Sequence, residues 1–194
     1  MRPKPLLAPA TIAIAAILVV VLAVRVRTLN RLNEELYRRL SRPHAGMFVP
    51  AFSSSTTDGG VVSVGSPRAG KQVLFVFNAT CPYCRASIPA WTRIGIALQA
   101  ANGRGAAVGV SLDAPDTARA YATRHALRYP VAVFPDGRTA ALYRAGSVPV
   151  TMVVDSTGRV VYARIGELNE GSAADSVRAA AGLAATRTAA GPRR

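Results

Sequence analysis

From Leu6 to Val24 the chain runs through 19 residues without a charge, and from Thr11 onward nearly all of them are Ile, Ala, Leu or Val. A helix rises about 1.5 Å per residue, so this run just spans a hydrocarbon core of ~30 Å. The pattern predicts a leader and transmembrane helix over residues 1–24. A cleaved secretory signal is the rival, since Arg2 and Lys4 form a positive leader, but Leu22-Ala23-Val24-Arg25-Val26-Arg27 offers no small-x-small pair for cleavage. Val26, Leu29, Leu32, Leu36 and Leu40 then recur at helical spacing, with Glu34, Glu35, Arg38 and Arg39 between them. This predicts a juxtamembrane helix over 25–42 that continues the membrane helix as a spacer; under three heptads is too short to require a coiled coil. Ser41-Arg42-Pro43 ends it.

Beyond Pro43 strand-like and helix-like patches alternate. Lys71 to Phe77 is a continuous apolar run of strand length, the pattern of a central strand covered on both faces. Arg85 to Ala101 reads as a helix closed by Asn102-Gly103, and Ala106 to Leu112 as a second buried strand. Asp113-Ala114-Pro115-Asp116 supplies cap chemistry for a helix reaching about Ala126. A short strand over Tyr129 to Phe134, a helical turn over Thr139 to Tyr143 and a strand over Val150 to Val154 follow. Asp155-Ser156-Thr157-Gly158 turns into a strand over Arg159 to Ile165, and a last Ala-rich helix runs from Ser172 to about Ala185. Strands and helices in this order describe an α/β fold with a central mixed β-sheet flanked by helices.

Composition narrows the function. A chain of 194 residues has room for one ordinary domain and an appendage, and two cysteines and two histidines cannot build a disulfide-dense scaffold or a histidine-rich metal site. The net charge of +14 is carried almost entirely by arginine. From Pro43 on, 16 basic residues face 8 acidic ones, scattered rather than striped, which argues against nucleic acid as a partner and suits encounter with acidic proteins.

The chemistry is concentrated where the central strand ends, in Asn78-Ala79-Thr80-Cys81-Pro82-Tyr83-Cys84. Two cysteines three apart, opening a helix, read as a redox pair rather than a zinc half-site, because structural zinc takes four ligands and no second pair exists. At a helix N-terminus the unpaired N–H groups and the positive dipole end favour a thiolate on Cys81. Pro82 suits the first helical position. Cys84, one turn further in, is placed to attack a mixed disulfide on Cys81 and release the product thiol.

This segment resembles the thioredoxin superfamily, and within it the membrane-anchored TlpA/ResA/CcmG-type, MauD-like thiol-disulfide oxidoreductases. Four features carry the likeness over roughly Gly46 to Leu168: Pro50-Ala51-Phe52 with a small hairpin around Asp58-Gly59-Gly60 and Val61 to Val64; the strand with Cys81 and Cys84; Pro89 inside the following helix; and Ser147-Val148-Pro149 leading to a strand and a hairpin ending at Arg159. The resemblance implies a thioredoxin-like fold over 43–186; the tail at 187–194, ending Gly191-Pro192-Arg193-Arg194, is expected to be disordered as a chain end. The resemblance further implies a cis Val148-Pro149 bond facing Cys81, substrate contacts from Pro82, Tyr83, Val148 and Pro149, a redox-active Cys81–Cys84 disulfide, and no cofactor or metal. Protein thiols and disulfides are then the substrates, apocytochrome c maturation among the roles, with a membrane or soluble electron donor and the lipid bilayer as partners.

The departures are two. Thioredoxin's buried acid on the central strand is Phe75 here, and the glutamate that many TlpA/ResA-type proteins carry three residues past the second cysteine is Ser87, so water or a substrate group is left to take the Cys84 proton. Arg85 reads as a solvated first-turn residue, Trp91 and Tyr83 as packing and rim residues, and His44 and His125 as surface or interdomain histidines. The resemblance places the redox domain outside the cytoplasm, although Arg25 to Arg42 outnumber the leader's charges and the positive-inside rule points the other way. Two other functions compete: a thiol peroxidase, whose Pro-x-x-x-Thr-x-x-Cys signature meets Leu74 and Asn78 instead, and a non-enzymatic metal or haem chaperone using the thiol pair.

Overall fold

A computed structural model of the chain describes residues 7–68, 70–101 and 105–183. The leader charges Arg2 and Lys4, the Asn102-Gly103 helix stop and the tail at 187–194 lie outside the described residues. The chain divides into two compact units between Ser41 and Arg42.

The first unit is one unbroken helix, α1 (Leu7–Ser41), with no interruption where the apolar run gives way to the charged one. Its segment Thr11–Glu34 is long and apolar enough to cross a membrane, with a mean hydropathy of 2.4 and none of it buried. A signal sequence meets the same criteria of length and composition.

The second unit is built as β1 (Phe52–Ser55), β2 (Val61–Val64), β3 (Lys71–Phe77), α2 (Pro82–Ala100), β4 (Gly105–Ser111), α3 (Pro115–Arg124), β5 (Val131–Val133), α4 (Gly137–Leu142), β6 (Val150–Asp155), β7 (Val160–Ile165) and α5 (Ser172–Ala180). β1 and β2 form a separate antiparallel hairpin, and the other five strands form one sheet in the order β5-β4-β3-β6-β7. β3 runs parallel to β4 and antiparallel to β6, so the sheet is mixed, as the strand and helix order implies. Six consecutive residues of β3, Gln72 to Phe77, are buried because both faces are covered. Val73, Phe75 and Phe77 pack with Trp91, Ile94 and Leu98 of α2 and with residues of α3 and α5. Leu74 and Val76 point the other way, into a second cluster with Val64, Tyr143 and Met152.

Element ends differ from the sequence reading for local reasons. The run of helix-forming residues begins at Arg85, but α2 starts at Pro82, the first helical position expected from the cysteine motif, so the turn joining the two cysteines is itself helical. Pro89 lies inside α2 without ending it, although an interior proline forfeits one helix hydrogen bond and costs about 3 kcal/mol. α3 stops at Arg124, two residues short of Ala126, which takes φ of 47°. The expected Asp113 cap is absent: Ala114 is the N-cap and has no side-chain bond. α5 ends at Ala180 instead of continuing toward Ala185, with Gly182 at φ of 79° in the left-handed turn that glycine favours.

Candidate active site

The site forms at the carboxyl end of β3, where the backbone leaves the sheet and must be held by something other than a ladder. Leu112 N–H donates to the Phe77 carbonyl at 3.0 Å. Ala79 N–H donates to Asp113 Oδ2 at 2.7 Å, and the Ser111 hydroxyl donates to the same oxygen at 3.0 Å. Asn78 Oδ1 accepts from Thr80 N–H at 3.1 Å and from its hydroxyl at 3.0 Å, an Asx turn that swings the chain into α2. Asp113, read from sequence as helix-cap chemistry, thus belongs to the loop that leads to Cys81. Asp113→Ala is expected to cost about 1–2 kcal/mol, the size of its hydrogen bonds, with Asp113→Asn costing less because an acceptor remains; chemical denaturation of both variants measures this.

Cys81 is the N-cap of α2, with φ −76° and ψ 115°, and its sulfur accepts the Cys84 N–H at 3.2 Å. Pro82 occupies the first helical turn, where its missing N–H leaves no gap. The Cys81 thiol is half-buried and points at the Val148 carbonyl, 3.7 Å away. Val148-Pro149 is cis, with Val148 half-buried and Pro149 buried. Tyr83, between the cysteines, is 60% exposed. The structure therefore brings Cys81, Cys84 and Val148-Pro149 together, with Pro82 and Tyr83 on the open side.

Cys84 is fully buried and free. Burial pushes its thiol up to about 12, and its hydrogen bond with Cys81 pushes the same way, as do the charges of Cys81 and Asp113. No side chain in place of the missing acids relieves this. Phe75 stacks on Trp91 with ring centres 5.1 Å apart and 19° between planes. Ser87 is fully buried, its hydroxyl donating to Tyr83 O at 2.8 Å and accepting from Leu168 N–H at 2.9 Å. Trp91 is a packing residue, as read from sequence: it is buried and donates its indole N–H to Thr151 Oγ1 at 3.0 Å. His44 is exposed. His125 departs from the expected surface histidine: it is half-buried against Tyr121, ring centres 4.4 Å apart, and burial together with Arg124 and Arg85 holds it below the usual imidazole range. The cysteine pair offers two sulfur ligands, and among the described residues no three His, Cys, Asp or Glu side chains gather as a metal site.

The family model described as AhpC/TSA family matches residues 45–163, which include the whole sheet up to β7 and the cysteine pair. The chain belongs to the AhpC/TSA family. No curated protein sequence matches it. Among solved structures, this AhpC/TSA member is similar to a thiol:disulfide interchange protein of the thioredoxin family from Chlorobium tepidum TLS, with 22% identity and a TM-score of 0.58 over 70% of this chain and 96% of that one. StoA from Bacillus subtilis is similar at 18% identity and TM-score 0.56, over 68% and 96% of the two chains. Peroxidoxin BcpB from Mycobacterium tuberculosis is similar at 21% identity and TM-score 0.58, over 71% and 96%. At such identities the likeness establishes a shared thioredoxin-like fold, in agreement with the resemblance read from the sequence.

Two residues of this family member's site escape sequence reasoning. Asp113 reaches Ala79 only because β3 and β4 pair in parallel and end side by side, with Phe77 opposite Ser111. Tyr121 has no motif around it and lies beside the cysteine loop by stacking on Phe77, the last residue of β3.

Proposed function

We propose that the protein exchanges disulfides with protein substrates through Cys81 and Cys84. The observation that carries this reading is the pairing of a half-exposed Cys81 sulfur, held by the first turn of α2, with a buried Cys84 thiol one turn deeper. In the reductive direction the Cys81 thiolate attacks a substrate disulfide, forming a Cys81–substrate bond and releasing one substrate thiolate. Cys84 then loses its proton and attacks the Cys81 sulfur, closing the Cys81–Cys84 disulfide and releasing the second substrate thiolate, which takes up a proton. Val148, Pro149, Pro82 and Tyr83 form the rim against which an extended substrate segment lies, using backbone contacts that ask little of its sequence. Residues 1–24 anchor the chain in the bilayer, 25–42 act as a spacer, and 43–186 form the redox domain outside the cytoplasm, where exported proteins present disulfides.

A thiol peroxidase is the second reading, favoured by the AhpC/TSA match and by the fold shared with BcpB. Against it, the positions that would hold the peroxidase proline and threonine are Leu74, which is fully buried in the second core cluster, and Asn78, whose side chain is engaged by Thr80. One assay separates the two. The full chain in detergent is expected to reduce insulin with a dithiol as electron source and to consume hydrogen peroxide no faster than a Cys84→Ser variant. Peroxide consumption well above that variant, with no insulin reduction, replaces the exchange reading by the peroxidase one.

A further inference from the structure

Past the apolar run, α1 keeps an uncharged stripe along one side. Val26, Leu29, Asn33, Leu36 and Leu40 follow one another by alternating steps of three and four, the a and d positions of a heptad. Val26, Leu29 and Asn33 are exposed. The charged residues avoid this seam: Arg27 and Glu34 fall at b, Glu35 at c, Arg31 and Arg38 at f, and only Arg25 and Arg39 flank it, at g. Counted from Val26 the repeat is short. The helix, however, runs from Leu7 to Ser41 without a break, so the seam continues in phase through Leu22, Val19, Ala15 and Ile12. Every face is apolar there, and no charge interrupts it.

We propose that α1 pairs in parallel with α1 of a second copy of this chain along that seam. This rests on the reading of residues 1–24 as a membrane anchor, which sets the direction: two copies inserted the same way lie parallel, with equal residues at equal depth. A strict seven-residue repeat drifts around a straight helix of 3.6 residues per turn, and winding about another helix is what keeps such a stripe covered. Val26 at a with Leu29 and Leu36 at d is the choice that favours two strands, and a single asparagine at a fixes register and copy number. Asn33 also selects an identical partner. Its amide both donates and accepts, so across the two-fold axis each Asn33 completes the other, whereas a lipid chain or an apolar helix offers it nothing. The seam carries no charge to repel its own copy. Its size is sufficient as well: the 35 residues of α1 give a strip about 50 Å long and ~10 Å wide on each copy, roughly 1,000 Å² in the pair, the area at which a specific interface begins.

The test is disulfide cross-linking in membranes. The chain has only two cysteines, so the full chain carrying Cys81→Ser and Cys84→Ser is a clean background for one new cysteine at a time. Val26→Cys and Leu29→Cys place it on the seam, and Thr28→Cys and Arg31→Cys place it at c and f, on the far side. After oxidation with copper phenanthroline, non-reducing electrophoresis reads the share of chain in a band of two copies. The seam positions are expected to give about tenfold more of that band than the other two, whose Cβ atoms stand too far apart to be bridged. Adding Asn33→Lys to Leu29→Cys sets like charges against each other and is expected to lower its band about tenfold. Equal bands at all four positions, no band at the seam, a seam band of another mass, or one that Asn33→Lys leaves unchanged overturns the proposal. A chain that alkaline carbonate strips from the membrane, or one shortened at its N-terminus, overturns the anchor reading and the parallel seam with it.

Discussion

Cys84→Ser is expected to accumulate as a covalent adduct with its substrates, while Cys81→Ser loses dithiol-dependent insulin reduction down to the background of the dithiol alone. The asymmetry follows from burial. Cys81 is the sulfur within reach of solvent and beside the Val148 carbonyl, so it makes the first bond. Cys84 is sealed beneath it, its thiol pushed up to about 12 chiefly by burial, and it becomes reactive only when the disulfide to be attacked sits one turn above. At neutral pH an alkylating reagent should therefore label Cys81 in the reduced parent and leave Cys84 untouched. In the Cys81→Ser variant, labelling of Cys84 should climb steadily through the alkaline range, as expected of a thiol that holds its proton well above the ordinary cysteine range. Non-reducing electrophoresis of the two variants, with and without dithiol, reads the adduct directly. Full multiple-turnover activity in Cys84→Ser would show that Cys81 works alone, and the two-sulfur mechanism would fall.

The second large effect concerns the platform beneath that pair. Trp91→Ala should destabilise the redox domain by about 3–5 kcal/mol, the range for deleting a large buried aromatic and a large part of the 5–15 kcal/mol that holds an ordinary domain together. The reason is where Trp91 sits. It stacks on Phe75 of β3 and donates to Thr151 of β6, and those two residues are paired across the β3–β6 ladder, so a single side chain fastens α2 to two strands at once. It also touches Phe77, ring centres 6.5 Å apart. Its removal opens a cavity under the active-site helix and leaves the buried Thr151 hydroxyl without its donor. Trp91→Phe keeps much of the stacking and gives up the hydrogen bond, so it should cost less. Thermal unfolding followed by near-ultraviolet circular dichroism measures both. An unchanged melting temperature for Trp91→Ala would mean that α2 is held elsewhere.

How far the sequence could be read depended on the range of the interactions. The six buried residues of β3 were visible as a continuous apolar run, because burial on both faces leaves no room for alternation. The sequence alone also determined that Cys84 would follow Cys81 by three residues on the first turn of a helix, a relation the α-helix imposes on any such spacing. Helix ends were read less well, since Arg124 and Ala180 are end points chosen by backbone turns at Ala126 and Gly182. Asp113 shows the limit most plainly. From its neighbours it is a good helix cap, yet the parallel pairing of β3 with β4 offers it an Ala79 N–H 34 positions earlier in the chain. Only the tertiary structure could decide that contact and the burial of Tyr121 against Phe77, whereas the meeting of the Val148 carbonyl with Cys81 across 67 positions was expected from the family resemblance alone. The physical reason is that periodicity and spacing encode what a residue does to its near neighbours along the chain, whereas the partners that tune a sulfur arrive from other strands and helices, and no local pattern records them.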